Sequence, residues 1–143
     1  MRALLDVNVL IALLDDAHVH HGLARDWFGA HVAHGWASCP LTQLGCVRIM
    51  GNPNYANAQP AALVAQRLAN ATRTPQHEFW PADVDPLGVR GLEWSRVLSA
   101  RHATDAYLLS LAVAHGGRFV TFDRHVPWQA VPAATAQHCV VLG

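Results

Sequence analysis

The stretch from Ala103 to Arg124, ATDAYLLSLAVAHGGRFVTFDR, decides the fold of this chain. Thr104 is a typical N-cap residue, the run from Asp105 to His115 is apolar on nearly every face, and two glycines stop it. This pattern predicts a buried helix of three turns. The run from Arg118 to Phe122 then predicts a buried strand.

Two aspartates stand at the ends of this helix and strand. Asp105 opens the helix and Asp123 follows the strand. The helix rises about 16 Å along its axis, and the strand returns by roughly 17 to 20 Å. We therefore expect both carboxyl groups at the same edge of the sheet. In a parallel sheet this edge, outside the carboxyl ends of the strands, is where functional sites form.

The rest of the chain repeats the same alternation. Further strands are predicted at Arg2 to Leu5, Trp36 to Cys39, His77 to Trp80 and Cys139 to Leu142. Further helices are predicted at Val9 to Leu14, His18 to Gly35, Leu41 to Met50, Pro60 to Asn70 and Val89 to Ser99. Alternation with short connections is typical of an α/β fold in which helices flank a central parallel sheet, here of about five strands.

Composition limits the class of protein. With 143 residues, 52% apolar and 14% charged, the chain suits a single domain over residues 1–143. No apolar run is long enough to span a membrane and no signal-peptide pattern opens the chain, so we expect a cytoplasmic protein without membrane association. Three cysteines, an odd number in apolar surroundings, indicate buried thiols in a reducing compartment. The net charge of zero gives no broad electrostatic footprint for nucleic acid.

A third aspartate is expected at the same edge. Asp6 follows the first strand, and taken alone it is equally typical of a helix N-cap. Right-handed crossovers would bring it to Asp105 and Asp123. Three crowded carboxylates repel one another unless one is protonated or a cation neutralises them. An all-oxygen set selects a hard ion, Mg²⁺ or Mn²⁺, and such an ion supports phosphodiester hydrolysis.

Three segments together carry a family resemblance. LLDVNVLIALL near the start, CPLTQLGCVRIMGNP in the middle, and TDAYLLSLAV with FVTFDR near the end resemble the PIN domain, specifically the toxin ribonucleases of VapBC toxin-antitoxin pairs. The resemblance covers essentially the whole chain. It implies a PIN-like three-layer fold and a Mg²⁺- or Mn²⁺-dependent endoribonuclease that cuts structured RNA such as tRNA or rRNA. It also implies a homodimer that is inhibited by a cognate VapB-like antitoxin.

The resemblance also assigns residues. The metal-binding acids of the family match three aspartates of this chain, Asp6, Asp105 and Asp123. Asn8 and Thr121 match polar residues beside the first and last of these acids. Gln43 departs from the family, because many PIN domains have a glutamate there. An amide oxygen can still ligate an ion or bind its water but brings no charge, so we expect weaker metal affinity or a single tightly held ion. Asn8, Gln43 and Thr121 are expected to orient water or ligands.

Two other functions are compatible with parts of the pattern. The segment from Asp6 to Val9 also resembles the nucleophile loop of aspartate-dependent phosphatases, but those enzymes and phosphorelay receiver domains use a lysine, and this chain has none. The other alternative is a catalytically weak or inactive PIN module that binds RNA or a protein, which Gln43 favours. The histidines His18 and His21 at a helix start, and the loop acids Asp83 and Asp85, are better explained by solvation and capping than by metal binding.

Overall fold

The structure, a computed structural model, describes residues 1–89 and 91–143. Five strands form one fully parallel sheet in the order β3-β2-β1-β4-β5. The strands are β1 Ala3–Leu5, β2 Trp36–Ser38, β3 His77–Phe79, β4 Arg118–Thr121 and β5 Cys139–Val141. The helices that flank them are α1 Val7–Leu14, α2 His21–His31, α3 Pro40–Met50, α4 Ala61–Thr72 and α5 Ala103–Ala114.

Strand residues alternate between two apolar layers. Leu4 and Phe119 point toward α5, whereas Leu5 and Val120 point toward the layer that contains α1, α3 and α4. The alternation follows from the period of two in a strand. The sheet is therefore covered on both faces, and the predicted three-layer α/β fold with a parallel sheet of about five strands is confirmed.

The start of α5 differs from the prediction. The helix begins at Ala103 with His102 as its N-cap, whereas Thr104 lies exposed inside the first turn. A 3₁₀ turn over Ala100–His102 runs directly into α5, so the helical backbone is already established before Thr104 is reached. The rest of the prediction is confirmed, because α5 is buried from Ala106 to Ala112.

The predicted helix from Val89 to Ser99 is wrong. In the described part of this segment the helical structure is one 3₁₀ turn over Trp94–Arg96, and Arg90 lies outside the described residues. The backbone N–H of Glu93 donates to the carbonyl of Ala130 at 2.8 Å, so this stretch pairs with a distant segment instead of with its own next turn. The other predicted helices and strands are present with shifted ends.

The register between β1 and β4 places the first aspartate. Leu5 lies opposite Val120, and the backbone N–H of Asp6 donates to the carbonyl of Val120 at 2.9 Å. Gly117 allows β4 to start against β1, because a Cβ there would lie 2.5 Å from the carbonyl oxygen of Arg2. Asp6 thus lies at the carboxyl edge of the sheet, directly after its central strand.

The three cysteines are free thiols. Cys39 and Cys46 are buried, as predicted, and Cys139 is half-buried. Burial raises the pKa of both Cys46 and Cys139 to about 11, so these thiols stay protonated and unreactive at neutral pH.

Among the described residues, no helix has the length and apolar character that crossing a membrane requires.

Candidate metal centre

Asp6 has both of its carboxylate oxygens held. Oδ1 accepts a hydrogen bond from the backbone N–H of Val7 at 2.7 Å, which makes Asp6 the N-cap of α1. Oδ2 accepts from the hydroxyl of Thr121 at 2.6 Å. Only 6% of Asp6 is exposed. The capping and functional explanations of Asp6 are compatible, because each oxygen accepts one hydrogen bond and a carboxylate oxygen has a second lone pair.

Thr121 links two of the three aspartates. This last residue of β4 is fully buried. Its hydroxyl donates to Asp6 and accepts from the backbone N–H of Asp123 at 3.0 Å. The carboxylate of Asp123 in turn accepts from the backbone N–H of His125 at 2.8 Å through Oδ1. These bonds fix the turn after β4, and Oδ2 of Asp123 takes part in none of them.

Asp105 interacts electrostatically with the other two. It lies in the first turn of α5, and its pKa is raised to about 7. Burial is the largest cause, followed by the negative charges of Asp6 and Asp123 and by a hydrogen bond with the Asp123 side chain. The pKa of Asp6 is also raised, because burial outweighs the hydrogen bonds from Thr121 and Val7, and Asp123 adds repulsion. The structure therefore brings the three predicted aspartates close enough to disturb one another's ionisation.

The cluster has the donor chemistry of a hard divalent ion. Within residues 1–89 and 91–143, no arginine forms a salt bridge with any of the three aspartates. In the same ranges no three His, Cys, Asp or Glu side chains lie close enough together to bind one metal ion. The three carboxylates are therefore neighbours, but they do not converge on a single point. Mutual repulsion opposes a closer approach. Oxygen donors with uncompensated charge fit Mg²⁺ or Mn²⁺.

Comparison with known families decides which family the chain belongs to. The family described as PIN domain matches residues 3–132. The chain belongs to the PIN domain family. The matched range contains all three aspartates and the five helices.

Several proteins of Mycobacterium tuberculosis are similar to this PIN-domain chain. Ribonuclease VapC44 is 51% identical over 142 residues, which cover 99% of this chain and 100% of the relative. Ribonuclease VapC39 is 45% identical over 125 residues, covering 86% of this chain and 89% of the relative. Ribonuclease VapC38 is 42% identical over 125 residues, covering 87% and 86% respectively.

The predicted supporting residues of the PIN-domain site are placed differently from one another. Thr121 contacts two of the aspartates, as described above. Asn8 is exposed in the first turn of α1, two residues after Asp6. The Gln43 amide donates to the hydroxyl of Ser38 at 2.9 Å, and that hydroxyl is 2.8 Å from Nε2 of His77. The side-chain amide of Gln43 thus belongs to a hydrogen-bonded chain with Ser38 of β2 and His77 of β3.

His102 lies beside the acid cluster and was not among the residues predicted from the sequence. Its side chain is 13% exposed, and Nε2 lies 3.8 Å from Oδ2 of Asp123. Nε2 is buried and has no hydrogen-bond partner among the described residues. The sequence offered one signal: His102 precedes Asp105 by three residues, and residues at this separation lie on the same face of a helix. The expected N-cap at Thr104 placed it outside the helix.

The other polar clusters have structural partners. Asp83 contacts Nε2 of His115 at 2.9 Å, a pairing that was not predicted. Asp85 accepts from the backbone N–H of Leu87 at 3.0 Å, a local loop contact in place of metal binding. Nδ1 of His21 bonds the carbonyl of Ala12 at 2.7 Å, and Nδ1 of His18 accepts from a neighbouring backbone N–H at 3.0 Å. Each of these side chains thus has a partner within the protein and stabilises local structure.

Proposed function

We propose that this chain is a metal-dependent endoribonuclease toxin of a type II toxin-antitoxin system. It hydrolyses phosphodiester bonds in structured RNA, tRNA or rRNA, and a cognate VapB-like antitoxin neutralises it. The observation that carries the proposal is the crowding of three carboxyl groups at one sheet edge, where the pKa of Asp105 rises to about 7. Membership of the PIN family and similarity to ribonucleases VapC44, VapC39 and VapC38 support it.

The three aspartates have distinct roles in this proposal. Asp6 and Asp105 would hold the principal Mg²⁺ or Mn²⁺, and Asp123 would position it or a second ion. When bound, such an ion neutralises phosphate charge, lowers the pKa of a water molecule and stabilises the leaving oxygen. The raised pKa values of Asp6 and Asp105 support this assignment, because carboxyl groups that burial and like charge destabilise gain most from a nearby cation.

The surrounding residues fix the orientation of the carboxylate oxygens. Thr121 and the backbone of Val7 each donate to a different oxygen of Asp6, so this carboxylate has a fixed orientation. The bond from Thr121 to the backbone of Asp123 holds the turn that carries the third acid. With its pKa near 7, Asp105 is partly protonated at neutral pH, and it releases the proton when positive charge enters the cluster.

The organisation of the protein follows from the same proposal. We propose a single PIN domain over residues 1–143 that acts as a homodimer in the cytoplasm. The resemblance to VapBC toxins supports the dimer and the antitoxin, and the family match over residues 3–132 supports the single domain.

Replacing Asp105 by Asn tests the proposed function. The substitution keeps the size of the side chain and removes its charge, so Mg²⁺-dependent cleavage of bulk tRNA and rRNA should be lost while the protein stays folded. Asp83→Asn is the matched control, because Asp83 is a more exposed acid paired with His115. Sequencing the 5′ ends of RNA cut by the wild type and not by the Asp105→Asn variant would identify the substrate. Undiminished cleavage by that variant would show that the site is elsewhere.

One observation favours a catalytically weak or inactive PIN module as the second candidate. The Gln43 amide is bonded to Ser38, and it brings no negative charge to the cluster. Titration with Mn²⁺, followed by electron paramagnetic resonance, separates the two candidates. A catalytic PIN site should bind Mn²⁺ with an affinity that falls in Asp105→Asn, whereas a pure interaction module should not respond to that substitution.

A further inference from the structure

An exposed histidine ring packs on the residue that separates two members of the site along the chain. His20 is exposed, and its ring centroid lies 5.0 Å from that of Phe122, with the two ring planes tilted by 31°. Phe122 is half-buried and lies between Thr121 and Asp123, whose hydrogen bonds fix the turn beside Asp6. The His20 ring is therefore an accessible aromatic surface next to the acid cluster.

The local structure does not explain a histidine at position 20. His20 is the N-cap residue of α2, but its side chain makes no capping hydrogen bond, and Ser, Thr, Asp and Asn are the residues that usually stabilise this position. Its ring takes part in no salt bridge within residues 1–89 and 91–143. The backbone N–H of His20 donates to Nδ1 of His18 at 3.0 Å, a bond that any residue except proline could form. What is particular to His20 is thus its ring.

Neighbouring rings hold the His20 ring in place. Phe122 packs against the apolar layer that contains α1, α3 and α4, so its position is fixed by the core. The ring of His18 lies 5.7 Å from that of His20, centroid to centroid, and its Nδ1 accepts from the His20 backbone. A contact surface that is ordered before binding loses little conformational entropy when a ligand binds. The exposed ring is therefore prearranged as a flat contact surface.

The position of the ring and the composition of the chain favour an RNA base as its ligand. The net charge is zero and the chain contains no lysine, so general attraction to phosphate contributes little to RNA affinity. Stacking of bases on aromatic side chains is the other common source of affinity for unpaired nucleotides, and it requires no charge. The Cα atoms of Phe122 and Asp123 are about 3.8 Å apart. A nucleotide whose phosphate lies at the acids can therefore place a base near this ring.

We propose that the ring of His20, supported by Phe122, stacks on an unpaired base of the RNA whose phosphate is bound at the acid cluster. The inference rests on the proposed nuclease function and adds a base-contacting residue to it. Thr121 faces Asp6, whereas Phe122 packs on the layer that contains α1, so the phosphate and the base lie on opposite sides of the end of β4. A base that reaches around this strand end has to be splayed out of any helix.

Binding of two RNAs that differ only in their bases tests the stacking. Fluorescence anisotropy of labelled oligoadenylate and oligouridylate of equal length is recorded in Ca²⁺, which occupies oxygen sites with a looser geometry than Mg²⁺. Adenine stacks more strongly than uracil and the phosphates are the same, so the wild type should bind oligoadenylate more tightly. His20→Ala should weaken oligoadenylate binding by about 5- to 100-fold, the range for loss of one stacked base, and oligouridylate binding by less.

Three further variants separate stacking from charge and from nonspecific effects. His20→Trp keeps an aromatic ring and should retain the preference for oligoadenylate. His20→Lys brings a positive charge without a ring and should lose that preference. His34→Ala changes an exposed histidine just before β2, at the opposite edge of the sheet, and should alter neither affinity. Thermal melting checks that every variant is folded, which is expected because His20 is exposed.

Three results would overturn the inference. The first is unchanged oligoadenylate binding by His20→Ala. The second is a wild-type preference for oligoadenylate in His20→Lys, because a ring would then not be needed. The third is an equal loss of affinity for both RNAs in His20→Ala, because His20 would then act through the fold or through the phosphates, and a lowered melting temperature would identify the fold as the cause.

The two proposals can fail separately. If the preference for oligoadenylate depends on His20 but the wild type does not cleave RNA with Mg²⁺ or Mn²⁺, the nuclease proposal fails and the contact between His20 and a base stands. If the wild type cleaves RNA and its binding is insensitive to His20, the reverse holds. Absence of binding to either RNA by the wild type would overturn the inference directly.

Discussion

The two ends of α1 each carry a buried aspartate, and the two behave in opposite ways. Asp6 at the N-cap is 6% exposed, and Asp15 at the C-cap is 4% exposed. Asp15 accepts hydrogen bonds from the hydroxyl of Tyr55, from the Asn57 amide at 2.9 Å and from the backbone N–H of Ala17 at 3.0 Å. Burial raises its pKa, but these donors together lower it below the ordinary value.

At Asp6 the balance is reversed. Burial is again the largest influence on the pKa, but only Thr121 and Val7 oppose it, and the charge of Asp123 adds to it. Burial alone therefore does not distinguish a structural carboxylate from a functional one. The number of donors and the sign of the neighbouring charge do, because they decide whether the ionised form is satisfied by the protein or by a cation. The carboxylate at one end of α1 is satisfied by the protein, and the carboxylate at the other end is left with the charge that the proposed ion would neutralise.

The largest expected effect comes from removing the charge at each end in turn. Asp6→Asn should reduce Mg²⁺-dependent RNA cleavage by about a hundredfold or more, because an ion at the site supplies several kcal/mol of charge stabilisation. Without added metal its melting temperature should not fall, because a carboxylate destabilised by burial is removed. Asp15→Asn should do the reverse, with cleavage retained and melting temperature lowered. Initial rates measure RNA cleavage, and calorimetry measures the melting temperature of each variant. A large fall in the melting temperature of Asp6→Asn would contradict the proposed difference between the two ends of α1.

Next in size is the effect of Thr121. Thr121→Val removes the hydroxyl that joins Asp6 to the turn at Asp123, and residues that orient metal ligands typically contribute about 10- to 100-fold in metal affinity or activity. Thr121→Ser keeps the hydroxyl and should retain most of both. Mn²⁺ titration together with cleavage rates compares the two variants. Similar losses of Mn²⁺ affinity and cleavage rate in Thr121→Val and Thr121→Ser would indicate that the packing of the side chain, and not its hydroxyl, matters at this position.

A smaller effect is expected at the structural end. Tyr55→Phe removes the hydroxyl that donates to Asp15 and should lower the free energy of unfolding by about 1.5 to 3 kcal/mol, the range for a hydrogen bond to a charged group. Cleavage should be unchanged. Asn54→Ala changes an exposed residue of the same loop and is the control. Urea unfolding measures the difference, and an unchanged midpoint would mean that Asp15 is satisfied by its other donors.

The pH dependence of stability should also separate the acid cluster, through Asp105 in the first turn of α5, from Asp15 at the end of α1. Asp105 has an ordinary pKa of 3.8 and a folded value of about 7, so between these values the folded chain binds more protons than the unfolded chain. Its contribution to stability is therefore present at low pH and is lost as pH rises through about 7. Asp15, with a lowered pKa, contributes above its ordinary value of 3.8 and loses its contribution as pH falls through its lower folded value.

Urea unfolding at several pH values, with and without Mn²⁺, tests this pair of signs. The loss of stability between about pH 4.5 and pH 7.5 should shrink in Asp105→Asn and should shrink in the wild type when Mn²⁺ is added. If Asp105→Asn left the slope unchanged, the raised pKa would have to belong to another group.

Much of the fold and the central feature of the site were predictable from the sequence. The apolar helix, the glycine pair and the strand between Ala103 and Asp123 form a helix–turn–strand unit whose lengths leave both acids at one edge of the sheet. The prediction needed only element lengths and the direction of the strands. Asp6 followed for the same reason, because it too comes directly after a buried strand.

The features that were missed depend on contacts between distant segments. The stretch from Val89 to Ser99 contains apolar residues at roughly helical spacing, but its backbone pairs across the fold with Ala130. The loop around Tyr55 carries no motif, yet it supplies the donors of Asp15. His102 has significance only through the burial of one ring nitrogen next to Asp123. Local patterns contain none of this information.

The pairing of Leu5 with Val120 has a consequence for how such a site can be lost. Sliding β4 by one position against β1 would turn every side chain to the other face and bring the ring of Phe122 to the place of the Thr121 hydroxyl. Deleting one residue between Gly117 and Thr121 would thus preserve every acid in the sequence and still dismantle the pocket. Spacing along this strand therefore matters to the proposed site as much as the carboxyl groups themselves.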